Sequence, residues 1–304
     1  MNVGEKLKKD YDREIARVVG ARKALEKGSV SPWEASEVLG SIPHVGAAVF
    51  YLPIIAVAAS ELALLYNVEA GVVMYAVTLI GLVFGISLVH RMEGSHPARA
   101  KDYDLLAAVL KAVMLLPLLR IFNFAMPLAL FRQIYWSLIV SGPILVTAWL
   151  LARNLKLTLK DVGFVKAKVL PQVFIVACGA LFGLVEYFIL MPQPIVSSLS
   201  FESAALPALI LMFFTGFTEE ILFRGFLQSL ASKAFGALQG VAFAAVLFTV
   251  MHASFNSVPE MLYVFLVALF YGISFQKTGS IYGVMVSHGL ANVLLFIVAP
   301  FYFG

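Results

Sequence analysis

One stretch of the sequence places three ionisable side chains in an apolar segment. Glu219, Glu220 and Arg224 lie within Phe217-Thr218-Glu219-Glu220-Ile221-Leu222-Phe223-Arg224-Gly225. Charged side chains at membrane depth are costly, so their default interpretation is a functional site. Glu220 and Arg224 are four residues apart, which predicts an ion pair on one helical face. Glu219 is rotated off that face and has no local counter-ion, so it is available for proton transfer.

Two later apolar segments carry the other polar candidates. His252 ends Phe248-Thr249-Val250-Met251-His252, and His288 and Asn292 are four residues apart in a further segment. The spacing predicts that His288 and Asn292 share one helical face. Because polar groups face lipid only at high cost, three helices bearing them are expected to converge on one interior cavity.

These side chains suit the hydrolysis of a peptide bond by activated water. Glu219 would take the proton and His252 would hold and polarise the water. His288 and Asn292 would donate hydrogen bonds to the tetrahedral oxyanion. The segment ends do not place Glu219, His252 and His288 at the same depth, so a tilt or a helix bend is expected.

The composition predicts an all-α, polytopic helical membrane protein. Hydrophobic residues form 61% of the 304 residues and charged residues 13%, against about 45–50% and about 25% in soluble domains. A spanning helix needs about 20 mostly apolar residues. Nine segments meet that criterion, at 44–66, 70–90, 103–121, 132–152, 169–190, 204–231, 237–256, 260–276 and 281–300. The third contains Lys111, Pro117 and Arg120, so a bend, a re-entrant segment or an eight-helix topology stays open.

Basic residues alternate between the connecting loops. Eight precede the first segment and none lies between the first and second, while the loop after the fourth is rich in lysine. By the positive-inside rule this pattern predicts a cytoplasmic N-terminus in a multi-pass membrane protein. The membrane is expected to be the cell membrane of a prokaryote. The net charge of +4 follows from these loops, and it does not indicate a nucleic-acid partner. Cys178 has no cysteine partner in the chain and is expected to be a buried small hydrophobe.

Four regions follow from these patterns. Residues 1–43 are expected to form a cytoplasmic amphipathic region, either on the membrane surface or as a solvated helix against a cytoplasmic loop. Residues 44–153 would hold the N-terminal transmembrane helices and 154–168 a basic cytoplasmic linker. Residues 169–304 would form the catalytic transmembrane domain, because the front half shows few buried polar residues.

The three motifs together resemble the CPBP family, which comprises type II CAAX prenyl proteases and bacteriocin-processing or immunity proteins. The resemblance rests on Glu-Glu-x-x-x-Arg at 219–224, Phe-x-x-x-His at 248–252 and His-x-x-x-Asn at 288–292, and covers roughly 165–300. It implies a glutamate-dependent intramembrane endopeptidase that needs no metal or other cofactor. Its substrate would be a prenylated CAAX-type or other membrane-associated peptide. The residues carried over are Glu219 and His252 for water activation, His288 and Asn292 for the oxyanion, and Glu220, Arg224 and Phe248 as support.

Other functions remain open at this stage. Glu219, His252 and His288 could form a zinc site with an open position, although no His-Glu-x-x-His motif is present. Buried glutamate and histidine also suit a proton-coupled transporter. A non-catalytic membrane scaffold or regulatory protein of the same family is a further alternative. Arg224 could instead capture a substrate carboxylate, and Glu186 could shape the cavity.

Overall fold

The computed structural model describes residues 45–95 and 99–304, and these form nine helices long and apolar enough to cross a membrane. The helices are α1 (Val45–Tyr66), α2 (Val68–Ser95), α3 (Ala100–Ala125), α4 (Gln133–Asn154), α5 (Val169–Leu190), α6 (Phe201–Phe235), α7 (Ala237–Phe255), α8 (Val258–Thr278) and α9 (Tyr282–Phe303). The all-α, polytopic prediction is confirmed. The amphipathic region predicted for 1–43 lies outside the described residues.

The third helix, for which the sequence left several topologies open, is a single long span with one irregular point. Regular α-helix ends at Val113 and begins again at Leu115. Pro117 lies four residues after Val113, and proline has no N–H to bond to that carbonyl, which explains the break. The chain then leaves the helix after Ala125 and makes one 3₁₀ turn at Leu128–Leu130. The expected irregularity is present as a break at Met114, and the described residues favour nine segments over eight.

The basic linker packs beneath the helices that follow it. The carbonyl of Gly163 accepts a 2.9 Å hydrogen bond from the backbone N–H of Ile281 at the start of α9. Phe164 packs against Phe217 of α6, with ring centres 6.2 Å apart. Burial alone would raise the pKa of Asp161, but hydrogen bonds from Thr158 and the nearby Lys233 ammonium hold it below its ordinary value. The linker therefore closes this end of the helix bundle.

Helix α6 changes its winding on both sides of the glutamates. The segments Leu211–Gly216 and Ile221–Gln228 are π-helical and flank a short α-helical turn at Phe217–Glu220. π-helical turns are rare and often lie at functional sites. They widen the helix and change the directions of its side chains. Such an irregularity was expected, because the sequence did not place Glu219, His252 and His288 at the same depth.

Helices α5, α6 and α9 meet through glycine. A Cβ atom on Gly183 of α5 would lie 2.2 Å from the carbonyl oxygen of Ala291, and one on Gly216 of α6 would lie 2.6 Å from the backbone N of Gly289. Small residues let membrane helices approach until their backbones touch. This contact, the glycine seam, fixes α9 and with it His288 and Asn292.

We expect Gly183→Ala to destabilise the fold. The added methyl overlaps the backbone of α9, and overpacking of this kind costs about 1–3 kcal/mol. Gly81→Ala is the matched control, because a Cβ there meets nothing within 4 Å. Thermal unfolding in detergent should show a lower midpoint for Gly183→Ala alone. Equal midpoints for the two variants would mean that the seam is not tightly packed in solution.

Candidate active site

The four side chains predicted to be catalytic line one cavity of about 490 Å³. Glu219 comes from α6, His252 from α7, and His288 and Asn292 from α9. Other parts of the wall come from the end of α3, the start of α4 and the last turns of α5. The predicted convergence of three polar helices is therefore present in the structure.

Glu220 and Arg224 form the predicted ion pair behind the cavity. Nη1 of Arg224 lies 2.9 Å from Oε1 of Glu220, and the two side chains are 1% and 0% exposed. The other end of the guanidinium donates to the carbonyl of Ala268 in α8 at 3.2 Å. Its central carbon lies 4.9 Å from the ring centre of Phe248 and 5.6 Å from that of Tyr271. Since Arg224 does not line the cavity, the geometry favours a structural role over capture of a substrate carboxylate.

His288 lies between the two glutamates. Its Nδ1 is 2.8 Å from Oε1 of Glu220 and its Nε2 is 3.6 Å from Oε2 of Glu219. Tyr271 stacks on the ring at a centre-to-centre distance of 5.9 Å. Glu219 has no counter-ion on its own helix, as predicted, but a partner from α9 approaches it. Glu220 thus orients the imidazole so that the opposite nitrogen faces Glu219.

His252 follows the last α-helical turn of α7. The helix is regular up to Val250, and a short 3₁₀ turn begins at Ala253. Nδ1 lies 2.8 Å from the carbonyl oxygen of Phe248. A carbonyl oxygen only accepts, so Nδ1 donates and Nε2 of the neutral ring is left as an acceptor. The ring packs on that of Phe248 with centres 4.5 Å apart, so Phe248 supports His252 through both backbone and side chain.

Three buried polar atoms of residues on the cavity wall have no hydrogen-bond partner. They are Nδ2 of Asn292, Oγ1 of Thr215 and Oγ1 of Thr218. Buried polar atoms are nearly always paired, so each exception needs an explanation. An unpaired amide donor facing a cavity is satisfied when a ligand brings an acceptor, such as a carbonyl oxygen or an oxyanion.

The geometry does not gather the three proposed zinc ligands. A zinc ion holds nitrogen and oxygen ligands at about 2.0–2.2 Å, so their atoms must lie close together. Among the described residues, Glu219, His252 and His288 form no such cluster, whereas His90, Glu93 and Asp104 do, outside the cavity. The donor set in the cavity therefore does not fit zinc.

The front half contributes polar groups that the sequence analysis missed. Arg120 of α3 lines the cavity and Glu61 of α1 pairs with it, at 2.5 Å between Nε and Oε1. The sequence analysis took its candidates only from the part of the chain after the linker, and the structure adds Arg120 and Glu61 from before it. A charged residue in each of two apolar segments was the available signal, but nothing in the sequence shows that the two residues meet. Glu186, the uncertain residue of α5, lies on the cavity wall.

We expect Arg224→Met to destabilise the protein strongly. Removing one partner of a buried ion pair leaves the other charge uncompensated, at a cost of about 3–5 kcal/mol. Lys233→Met is the matched control, because Lys233 and Asp161 form an ion pair at 3.5 Å that is 50% and 37% exposed. Such exposed pairs contribute about 0–1 kcal/mol. Unfolding midpoints in detergent compare the two, and similar small losses would contradict the structural role of Arg224.

Comparison with known families gives one match. The family model described as Rce1-like, type II CAAX prenyl endopeptidase Rce1-like, matches residues 201–294. No curated protein and no solved structure matches the chain. The match covers α6, α7, α8 and most of α9, the helices that carry all four candidate side chains. This multi-pass membrane protein is therefore similar, over residues 201–294, to the Rce1-like family of type II CAAX prenyl endopeptidases.

Proposed function

We propose that the protein is a metal-independent glutamic endopeptidase that cleaves a membrane-associated peptide within the bilayer. The observation that carries this proposal is the convergence of Glu219, His252, His288 and Asn292 on one cavity, with the amide donor of Asn292 unpaired. A base, a water-binding imidazole and two oxyanion donors are the groups that peptide hydrolysis by water requires.

Glu219 and His252 prepare the water. Both side chains line the cavity wall, and the proposed mechanism has the attacking water bind between them. Nε2 of His252 accepts one proton of the water in a hydrogen bond, and Glu219 takes the other as the oxygen attacks the scissile carbonyl. The carbonyl carbon becomes tetrahedral and its oxygen becomes an oxyanion.

His288 and Asn292 stabilise that oxyanion. The amide of Asn292 supplies one donor, and Nε2 of His288, when protonated, supplies the second. Glu220 on the opposite ring nitrogen fixes the direction of the imidazole. The carbon–nitrogen bond then breaks, and Glu219 returns its proton to the leaving amine. The products are a carboxylic acid and an amine, and Glu219 is regenerated.

The lining of the cavity supports an apolar peptide as the substrate. Aromatic and aliphatic side chains make up much of the wall, including Phe124, Phe182, Phe223 and Val264. Sites of this kind bind apolar ligands through a few well-placed polar groups. A prenylated CAAX-type peptide and another membrane-associated peptide with apolar residues beside the scissile bond both fit this description.

Glu219→Gln should abolish cleavage without unfolding the protein. The amide cannot accept the proton, and general acid–base catalysis typically contributes about 10²–10⁴-fold. The assay follows a quenched fluorescent farnesylated CAAX peptide with detergent-purified protein, with and without a chelator. Glu69→Gln is the matched control, since Glu69 is exposed at the start of α2. We expect wild-type activity from the control and no effect of the chelator.

Three other results would change the proposal. Cleavage that persists in Glu219→Gln would remove Glu219 as the base. Loss of activity with chelator, restored by zinc, would favour the metal mechanism in spite of the geometry. If the wild-type protein does not cleave the farnesylated peptide but cleaves a non-prenylated membrane peptide, the prenylated substrate is rejected and the proposed mechanism is retained.

A further inference from the structure

Three polar side chains from the front half meet at Met251, the residue before His252. They are Glu61 of α1, Tyr75 of α2 and Arg120 of α3. The hydroxyl of Tyr75 donates to Oε1 of Glu61 at 2.6 Å and lies 3.5 Å from Sδ of Met251. Nη2 of Arg120 donates to the carbonyl of Met251. We refer to Glu61, Tyr75 and Arg120 as the Met251 clamp.

The carbonyl that Arg120 binds is one that the helix leaves unpaired. In a continuing α-helix it would accept from the backbone N–H of Phe255. That N–H donates instead to the carbonyl of His252 at 3.1 Å, because the chain tightens into a 3₁₀ turn. The last carbonyls of a helix need partners from elsewhere, and the guanidinium supplies one.

Burying the three polar side chains of the clamp costs free energy, which indicates that they serve a function. Tyr75 and Glu61 are 0% and 1% exposed, and Arg120 is 13% exposed. A buried ion pair gives little net stability compared with apolar residues of the same volume, whereas its charge-assisted hydrogen bonds fix geometry strictly. The clamp joins α1, α2 and α3 to one peptide unit, and the next residue along the chain is His252.

We propose that Glu61, Tyr75 and Arg120 are positioning residues for His252. The clamp fixes the turn at Met251 and so the direction in which the imidazole enters the cavity. Glu61 does not line the cavity, so it acts only through Arg120 and the turn. This inference rests on the proposed function for its catalytic consequence, and it gives the N-terminal helices a role in the reaction. All three residues lie outside the 201–294 match.

The test is Glu61→Gln, which keeps the shape of the side chain and removes its charge. Ser60→Ala is the matched control, since Ser60 is buried in the same helix and bonds to Thr78 of α2 at 3.0 Å without touching Met251. Kinetics on the farnesylated peptide should show kcat reduced about 10–100-fold by a misplaced catalytic group. KM should stay within about twofold, as expected when an interaction made only in the transition state is weakened. Tyr75→Phe should lower kcat less, and Arg120→Lys should retain part of the activity because the ammonium keeps the positive charge and N–H donors.

A second measurement does not depend on a substrate. Ring-¹⁵N histidine labelling gives five side-chain environments at most, since the chain has five histidines, and the His252 signal is identified by its loss in His252→Gln. We expect Glu61→Gln to shift the His252 signal and to leave that of His288 in place, while Ser60→Ala shifts neither.

Each combination of results decides the proposal. A shifted His252 signal with lower kcat supports positioning. A shifted signal in a protein whose wild type cleaves nothing supports positioning and overturns the proposed function. An unmoved His252 signal, or equal losses in Glu61→Gln and Ser60→Ala, overturns the positioning role. If the Glu61→Gln protein unfolds, Tyr75→Phe replaces it, because this variant loses only one hydroxyl group. The same outcomes then apply.

Discussion

The rest of the site depends on the hydrogen bonds and the ion pair that the buried carboxylate of Glu220 forms. A charge with no exposed surface is tolerated only when hydrogen bonds and an opposite charge replace the lost water. Its Oε1 accepts hydrogen bonds from both Arg224 and His288. Arg224 in turn contacts the ring of Phe248 in α7 and the carbonyl of Ala268 in α8. One carboxylate therefore fixes the relative positions of four helices.

The division of labour between the adjacent glutamates follows from this arrangement. Glu220 points into the protein and is neutralised by Arg224, whereas Glu219 lines the cavity with Nε2 of His288 3.6 Å from its Oε2. Two identical side chains acquire different surroundings through the direction in which each leaves the helix. Both lie in the α-helical turn Phe217–Glu220, where neighbouring side chains point about 100° apart.

The sequence predicted most of the helices and the four candidate side chains because both depend on local patterns. Apolar runs fix the spans, and the spacing from Glu220 to Arg224 and from His288 to Asn292 fixes shared faces. The contact of His288 with both glutamates was not predictable, because it depends on how α9 packs on α6. The same holds for Arg120. Its charge was visible as an oddity in α3, but its partners Glu61 and Met251 are distant in the chain.

The clamp at Met251 also changes how the front half is understood. Sequence patterns divided the chain at the linker, with candidates after it and transmembrane helices of no assigned role before it. In the structure, Glu61 and Arg120 join α1 and α3 to the turn that presents His252. These hydrogen bonds connect the two halves of the chain, so helices of the front half help to form the site.

The glycine seam has a mechanical consequence. Backbones in direct contact have no side chains between them to repack, so we expect α5, α6 and α9 to move together where they meet at Gly183, Gly216 and Gly289. Glu219, His288 and Asn292 all belong to these helices, so we expect their mutual distances to change little. Any change in the shape of the cavity is therefore expected in the walls joined by side chains, above all at the ends of α3 and α4.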